Sequence, residues 1–440
     1  MMKWNRASVA VAALIALSAC GIFKGGGKKT PVLGERVPIL VSETDVSVDK
    51  TMAGIQVLLP PATANESWPQ PGGNPSHDVG HLALAGSISR SWDAQIEGSS
   101  NKERLAAAPV TGDGRLYVVD VNAEVHAFSL ANGASVWTTE LSKTEENKAS
   151  RFGGGVSYDD GRVYATDGLG DVVALDAKTG AEAWRAKPGG PLRGAPTISN
   201  GNVYVLSQDN QLFALSETDG TVGWTVSGSL ESQGVFGVAA PAAAQGTVVA
   251  GFSSGELNAY RYENGRALWQ DALTRTTIST SVSSLADIDA DPVIDQGRVY
   301  AVGQGGRMVA LDLATGQRLW EQNFAGLSTP WVAGEWVFVV TDDGKLLCIA
   351  RGNGKIRWIS DLPGYRNMKK KKNAITWFGP VLAGGNLWLT NSEGQLVAVS
   401  AADGQIGQTI DTKDQFTLAP VVANNVLYTL DFKGRVTAWR

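Results

Sequence analysis

Histidine and cysteine, which supply many nucleophiles and transition-metal ligands, are scarce in this sequence. Its 440 residues include three His and two Cys. So few His residues leave little material for a Ser/His/Asp triad or a His-rich metal site. With Cys20 modified, as argued below, Cys348 stands alone and no internal disulfide can form. We therefore expect a noncatalytic protein without a bound metal or cofactor, and we expect Cys348 to be a small buried packing residue.

Long apolar runs are absent after the N-terminus. The run from Val9 to Leu17 follows Lys3 and Arg6 and ends in small residues, which is typical of a secretory signal peptide. It is too short to span a hydrocarbon core of about 30 Å. The formal net charge of −5 becomes −7 once Lys3 and Arg6 are removed. This acidic balance argues against a nucleic-acid partner.

A motif that is present returns about every 45 residues, a spacing typical of propeller repeats. It consists of a Gly-containing turn with a Trp four residues after the Gly, and short apolar runs of period two precede it. The motif occurs at Gly133 and Trp137, Gly180 and Trp184, Gly220 and Trp224, Gly265 and Trp269, Gly316 and Trp320, and Gly354 and Trp358. Such repeats predict a β-propeller in which each repeat forms a four-stranded antiparallel blade.

The repeats at the two ends of the sequence are both incomplete. Eight repeats can be counted, the seventh has Gln408 in place of Trp, and the last ends at Arg440 after three strands. Upstream, residues 88–96 with Trp92 predict a fourth strand that has no blade before it. Pairing these two parts removes two open sheet edges. We therefore predict an all-β fold, an eight-bladed β-propeller over residues 85–440 that an N-terminal strand closes by completing the last blade.

The string Leu17-Ser18-Ala19-Cys20 resembles the lipobox of bacterial lipoproteins. The resemblance implies a signal peptide at residues 1–19, lipidation of Cys20, and, because Gly21 rather than Asp follows, retention at the periplasmic face of the outer membrane. Residues 20–84 contain a Gly-rich stretch and several Pro residues, which predict a flexible tether. Part of this tether is expected to cover the ring.

Units such as residues 174–184 resemble the tryptophan-docking motif of the eight-bladed quinoprotein dehydrogenases. The resemblance implies that each Trp holds neighbouring blades together. Many of those enzymes place pyrroloquinoline quinone against a disulfide between adjacent Cys residues, with a Ca²⁺ ion and a catalytic Asp beside it. Adjacent Cys residues do not occur here. A quinone-dependent dehydrogenase is therefore only a distant alternative.

Together, the lipobox, the tether and the eight repeats resemble the BamB family, lipoproteins of the machinery that assembles outer-membrane β-barrels. This implies a noncatalytic scaffold that binds the periplasmic domains of BamA and aids insertion of β-barrel proteins into the outer membrane. In that family a Leu/Arg loop and an acidic loop bind BamA. The matching residues here are Leu192, Arg193, Asp287 and Asp289, whereas Gly190 stands where the family can carry a second Leu.

The repeat register supports these four residues independently. Both loops join the fourth strand of one blade to the first strand of the next, and such links emerge on one face of a propeller. We expect Leu192 to supply an apolar contact, Arg193 a forked donor, and Asp287 and Asp289 acceptors. Two alternatives stay open: these charges are ordinary solvated loop residues, or the propeller is a periplasmic chaperone that captures unfolded chains by edge pairing.

Overall fold

The computed structural model describes residues 46–142, 147–192, 194–230, 239–274 and 286–440. These residues form eight four-stranded antiparallel sheets and one two-stranded hairpin. The predicted all-β, eight-bladed propeller is therefore confirmed.

In blades 1 to 7, four consecutive strands run from the central channel to the outer rim. Blade 1 comprises β2 (Val110–Gly112), β3 (Arg115–Val119), β4 (Glu124–Ser129) and β5 (Ser135–Glu140), and blade 2 comprises β6 (Val156–Asp159), β7 (Arg162–Thr166), β8 (Val172–Asp176) and β9 (Glu182–Ala186). Blade 3 comprises β10 (Thr197–Ser199), β11 (Asn202–Leu206), β12 (Gln211–Ser216) and β13 (Val222–Ser227), and blade 4 comprises β14 (Ala242–Ala244), β15 (Thr247–Gly251), β16 (Glu256–Arg261) and β17 (Ala267–Ala272).

The remaining blades follow the same order, with a hairpin inserted between blades 6 and 7. Blade 5 comprises β18 (Val293–Asp295), β19 (Arg298–Gly303), β20 (Arg307–Asp312) and β21 (Arg318–Gln322), and blade 6 comprises β22 (Trp331–Ala333), β23 (Trp336–Val340), β24 (Lys345–Ala350) and β25 (Ile356–Asp361). The hairpin of β26 (Tyr365–Asn367) and β27 (Lys372–Ala374) follows, and blade 7 comprises β28 (Trp377–Ala383), β29 (Asn386–Asn391), β30 (Gln395–Ser400) and β31 (Ile406–Asp411). Blade 8 comprises β32 (Val421–Ala423), β33 (Val426–Leu430), β34 (Arg435–Trp439) and the N-terminal strand β1 (Arg90–Gln95).

Blade 8 closes the ring with strands from both ends of the propeller sequence. The N-terminal strand β1 pairs with β34, with Arg90 opposite Trp439 and Gln95 opposite Arg435. Its sheet order is β1-β34-β33-β32, so β1 is the outermost strand. The predicted closure is therefore confirmed, and it satisfies backbone groups of β34 that would otherwise form an open edge.

Each Trp of the repeat joins its own blade to the next one. The indole nitrogen of Trp137, for example, donates to the carbonyl of Ala177 at 3.0 Å. Gly180 packs over the same ring with a φ of 72°, and a Cβ atom there would lie 2.7 Å from the indole. Only glycine fits such a close approach at positive φ. Equivalent indole bonds to the following blade are made by Trp92, Trp184, Trp224, Trp269, Trp320 and Trp358.

The junction between blades 7 and 8 uses a different contact, which explains the missing Trp in the seventh repeat. Here the fourth strand of the next blade is β1, so no turn between third and fourth strands carries a Gly at this place. The Gln408 amide instead accepts from the backbone N–H of Ile88 at 3.2 Å and donates to its carbonyl at 2.9 Å. Gln408 therefore ties blade 7 to the segment that leads into β1.

Residues 63–82, which we call the strap, lie inside the ring. We expected a flexible tether through residue 84 with part of it covering the ring. In the strap, Trp68 is 4% exposed, His77 3% and Leu82 1%. Before the strap, the backbone N–H of Asp49 donates to the carbonyl of Ile356 on the outer strand of blade 6 at 3.0 Å. The chain thus passes from the rim into the channel.

The strap makes hydrogen bonds to all eight blades in the order in which they surround the channel. In each blade its partner is the first strand or the turn directly after it. The contacts are Asn65 with Val422 and Asn424, Trp68 with Thr111, Pro69 with Tyr158, Gln70 with Ile198, Pro75 with Ala243, Ser76 with Ile294, Gly80 with Trp331, and Leu82 with Leu382. The strap therefore closes one end of the channel.

Candidate functional site

We call the face that carries the links between consecutive blades the connector face. The link between blades 2 and 3, residues 187–196, contains two of the predicted partner-binding residues. The N–H of Leu192 donates to the carbonyl of Asp167 at 3.2 Å, and the N–H of Gln208 donates to the carbonyl of Pro191 at 2.9 Å. Asp167 and Gln208 begin the turns between the second and third strands of blades 2 and 3. The link therefore lies across these two turns.

The link between blades 4 and 5 is built in the same way. The N–H of Ile288 donates to the carbonyl of Phe252 at 3.3 Å, and the N–H of Gln304 donates to the carbonyl of Asp287 at 2.9 Å. Phe252 and Gln304 belong to the corresponding turns of blades 4 and 5. The structure therefore places both links on the connector face, two blades apart.

Leu192 lies in the core below this face rather than on its surface. Its side chain is 0% exposed and belongs to a cluster with Tyr164, Val205 and Phe213. The expectation that Leu192 offers an apolar contact to a partner therefore does not fit its burial. A fully buried leucine fixes the position of its loop. Arg193, the next residue, lies outside the described residues.

Asp287 and Asp289 are more buried than solvated loop charges would be. Asp287 is 3% exposed, and Asp289 is partly buried. Oδ2 of Asp289 accepts a hydrogen bond from the amide nitrogen of Gln304, whereas Oδ1 has no hydrogen-bond partner among the described residues. Burial, together with the negative charge of Asp287, raises the pKa of Asp289 to about 7. Asp289 is therefore a carboxyl group whose charge is poorly stabilised.

A cavity of about 750 Å³ occupies the channel between the strap and the connector face. Trp68 and His77 of the strap line it from below. Asp289 and Asp291, from the link between blades 4 and 5, line its wall together with apolar groups that include Phe378. Asp289 therefore belongs to the acidic link and also lines the cavity, and the sequence did not reveal the second of these positions.

A further group of ionisable side chains lies on blade 1. Asp120, Glu124 and His126 place one ligand atom each within 4.8 Å of one another. Oδ1 of Asp120 accepts from the backbone N–H groups of Asn122 and Glu124 at 2.9 Å. Asp431 accepts in the same way in the equivalent turn of blade 8. We therefore interpret Asp120 as a turn residue of the repeat.

Of the two cysteines, Cys348 lies among the described residues and Cys20 does not. Cys348 on β24 is 0% exposed, as expected of a small packing residue, and burial raises the pKa of its thiol. Cys20 lies outside the described residues, so its lipidation stays a prediction. Within the described ranges, no helix combines the length and the apolar character needed to cross a membrane.

Comparisons with known proteins point to one family. The sequence model of the family described as "Outer membrane protein assembly factor BamB" matches residues 121–360. The protein of that name from Yersinia pestis is 29% identical over 330 residues, which cover 74% of this chain and 81% of the relative. Its Vibrio cholerae namesake is 36% identical over 251 residues, covering 57% of this chain and 64% of the relative.

Solved structures share the fold across a wider range of functions. The crystal structure of BamB from Moraxella catarrhalis aligns with a TM-score of 0.66 at 21% identity, over 80% of this chain and 100% of that chain. A quinohemoprotein alcohol dehydrogenase from Pseudomonas putida aligns with a TM-score of 0.66 at 13% identity, over 86% of this chain and 80% of that chain. At these identities the likeness shows the propeller fold alone.

Proposed function

This chain belongs to the family of the outer membrane protein assembly factor BamB, and we propose that it is a noncatalytic scaffold that binds the periplasmic domains of BamA and thereby aids insertion of β-barrel proteins into the outer membrane. The noncatalytic role follows from the family, whose members are assembly factors. The finer steps, namely the partner domains, the binding residues and the lipid anchor, are parts of the proposal.

The observation that carries the proposal is the common placement of the two links. Residues 187–192 and 286–292 each lie across the turns of two blades on the connector face. They are two blades of the eight-bladed ring apart, which is about a quarter turn. One folded partner domain can therefore contact both links. Loops held on a rigid ring are a common form of binding site.

The residues have different roles in this proposal. Leu192 is a positioning residue, because its buried side chain holds the link in place. Arg193 supplies a forked donor to carboxylate or carbonyl groups of the partner. Asp287, which is 3% exposed, acts on the partner through the field of its charge rather than by contact, and Asp289 adds to this negative potential, which orients a basic patch of the partner. Arg193 is the residue for which we expect the largest direct contribution to affinity.

We propose that Cys20 carries the lipid that holds the protein at the periplasmic face of the outer membrane. The Cys20→Ser variant should remain an uncleaved or mislocalised precursor, because each lost acyl methylene removes about 0.8 kcal/mol of membrane affinity. Fractionation of the envelope, followed by blotting of the membrane and soluble fractions, measures the effect. Normal recovery of the variant in the outer membrane of cells that lack BamA would contradict the anchor.

Recovery of partners from detergent-solubilised envelopes tests the scaffold role. We expect one stoichiometric partner, BamA, and its loss with Arg193→Ala or with Asp287→Ala and Asp289→Ala together. Lys178 and Glu263 lie exposed in turns between third and fourth strands, at the opposite face. Lys178→Ala and Glu263→Gln are therefore matched controls of the same charge sign, and they should leave recovery unchanged.

The outcomes separate the alternatives. Many substoichiometric partners would favour the chaperone instead. Equal loss with the variants and their controls would indicate general electrostatics rather than a site. Unchanged BamA recovery with every link variant would refute the proposed residues.

A further inference from the structure

Two buried polar atoms of residues that line the channel cavity have no hydrogen-bond partner among the described residues. Nδ1 of His77 lies 2.7 Å from the carbonyl oxygen of Pro292. A carbonyl can only accept, so Nδ1 of His77 carries a proton. Among the described residues, neither Nε2 of His77 nor Oδ1 of Asp289 has a hydrogen-bond partner. His77 as a residue is 3% exposed.

His77 and Asp289 come from elements that are distant in the sequence but line the same cavity. His77 belongs to the strap, which forms the floor, and Asp289 belongs to the link between blades 4 and 5. Asp291, which also lines the cavity, already accepts from the N–H of Ala240 at 2.7 Å. A concave site with a few convergent polar groups and apolar walls is the usual form of a small-ligand site.

The remaining walls suit a cation with an apolar stem. Trp68, Phe378 and Phe416 line the cavity with aromatic surface, and aromatic faces attract ammonium groups. The basic residue in the lining, Arg104, is exposed at the mouth, where water screens its charge. Among the described residues, the lining therefore places no Lys or Arg side chain other than Arg104 around the carboxyl groups of Asp289 and Asp291.

We propose that this cavity binds an ammonium group carried on an apolar stem, with Asp289 as its acceptor. The stem lies against the aromatic wall, and the ammonium group donates to Oδ1 of Asp289. Two sources supply this chemistry: a free small amine, or a lysine side chain of a polypeptide that reaches into the channel from the connector face.

Calorimetry on the full chain without a histidine tag tests the proposal with n-pentylammonium as the probe. We expect a dissociation constant on the order of 1 mM, as suits so small a ligand, and binding of 1-pentanol and pentanoate at least about tenfold weaker. The isosteric Asp289→Asn should weaken pentylammonium binding by about tenfold or more, because a charge-assisted hydrogen bond is lost. Asp209→Asn, an exposed aspartate in a turn of blade 3 on the connector face, is the charge control.

A second pair of variants fills the cavity without altering Asp289. Ala108 and Leu327 line it from two different links. Ala108→Trp and Leu327→Trp should each weaken binding, and a melting curve for each shows whether it is folded. Neither residue belongs to the two partner-binding links, so BamA recovery with these variants should persist. Loss of amine binding with BamA recovery intact separates this cavity from the proposed function.

Two blocked peptides distinguish the sources. One carries a single internal lysine, and the other has norleucine at that position. Binding of the lysine peptide indicates a polypeptide side chain, whereas binding of pentylammonium alone indicates a free amine. The proposal is overturned if wild type fails to bind either probe at tens of millimolar, if pentanol binds as well as pentylammonium, or if Asp289→Asn binds like wild type.

Discussion

At the scale of single residues, burial changes what Leu192 is expected to do. A surface anchor can be truncated with little effect on folding, whereas a fully buried leucine cannot. Leu192→Ala should lower the free energy of unfolding by about 2–5 kcal/mol, because it leaves a cavity in the blade 2 and 3 core. Leu192→Met, of similar volume, should cost less than about 1.5 kcal/mol. Thermal or denaturant unfolding measures both. A wild-type melting curve for Leu192→Ala would mean that the side chain is exposed in solution.

Asp289 should make the stability of the protein depend on pH in a definite direction. Its pKa is raised to about 7 from an ordinary value of 3.8. Between these pH values the folded state binds more protons than the unfolded state, so this group's contribution to stability falls as pH rises. Asparagine does not titrate, so the stability of the Asp289→Asn variant does not include this fall with pH.

Relative to wild type, Asp289→Asn should therefore gain stability as pH rises from 4 to 8. The gain at pH 8 should exceed about 1 kcal/mol, since one pKa unit corresponds to about 1.4 kcal/mol. Melting curves at intervals over this range measure it, with Asp209→Asn as the charge control. A difference between variant and wild type that stays constant with pH would show that Asp289 titrates normally.

At the scale of elements, closure of the ring depends on one strand that lies far from its blade in the sequence. Deleting residues 86–97 removes β1, leaves β34 as an open edge and takes away the backbone partner of Gln408. We expect a lower melting temperature and concentration-dependent aggregation, because an unpaired apolar strand invites pairing with another chain. Scanning fluorimetry and light scattering measure these effects. Unchanged melting would show that another segment closes blade 8.

At the scale of the whole molecule, the strap joins all eight blades at the channel. Deleting residues 63–82 removes the acceptors of backbone N–H groups in the first strands of several blades. Faster hydrogen exchange is expected at the amides that donate to the strap, at Thr111, Tyr158, Ile198, Ala243 and Ile294. The melting temperature should also fall, since Trp68 and Leu82 leave the core.

A local variant is the control for this effect. Within the described part of the chain, the hydrogen bonds of the Gln70 side-chain amide are with Ile198, to whose carbonyl it donates at 3.0 Å and from whose N–H it accepts at 2.8 Å. Gln70→Ala should therefore accelerate exchange in blade 3 and leave Ile294 in blade 5 protected. If deletion of the whole strap accelerated exchange in a single blade and left the others unchanged, the strap would not connect the eight blades as proposed.

The sequence predicted where the candidate residues lie in the fold, but not how exposed they are. The repeat register places Leu192, Asp287 and Asp289 in links between blades, and the structure has them there. Whether such a residue faces water depends on what packs over it. Phe213 of blade 3 lies in the same buried cluster as Leu192, and Gln304 of blade 5 donates a hydrogen bond to Asp289. These neighbours are set by the docking of blades, which no local pattern encodes.

By itself the sequence determined the architecture, because turn chemistry and period-two alternation act within each repeat. The Gly and Trp of each unit specify a blade and its contact with the next, and the two incomplete ends specify how the ring closes. Only the tertiary structure decided the course of the strap and the cavity above it. The strap has no periodic pattern of its own, since each of its contacts is with a different blade. Its burial, like the perturbed pKa of Asp289, arises only when the ring surrounds it.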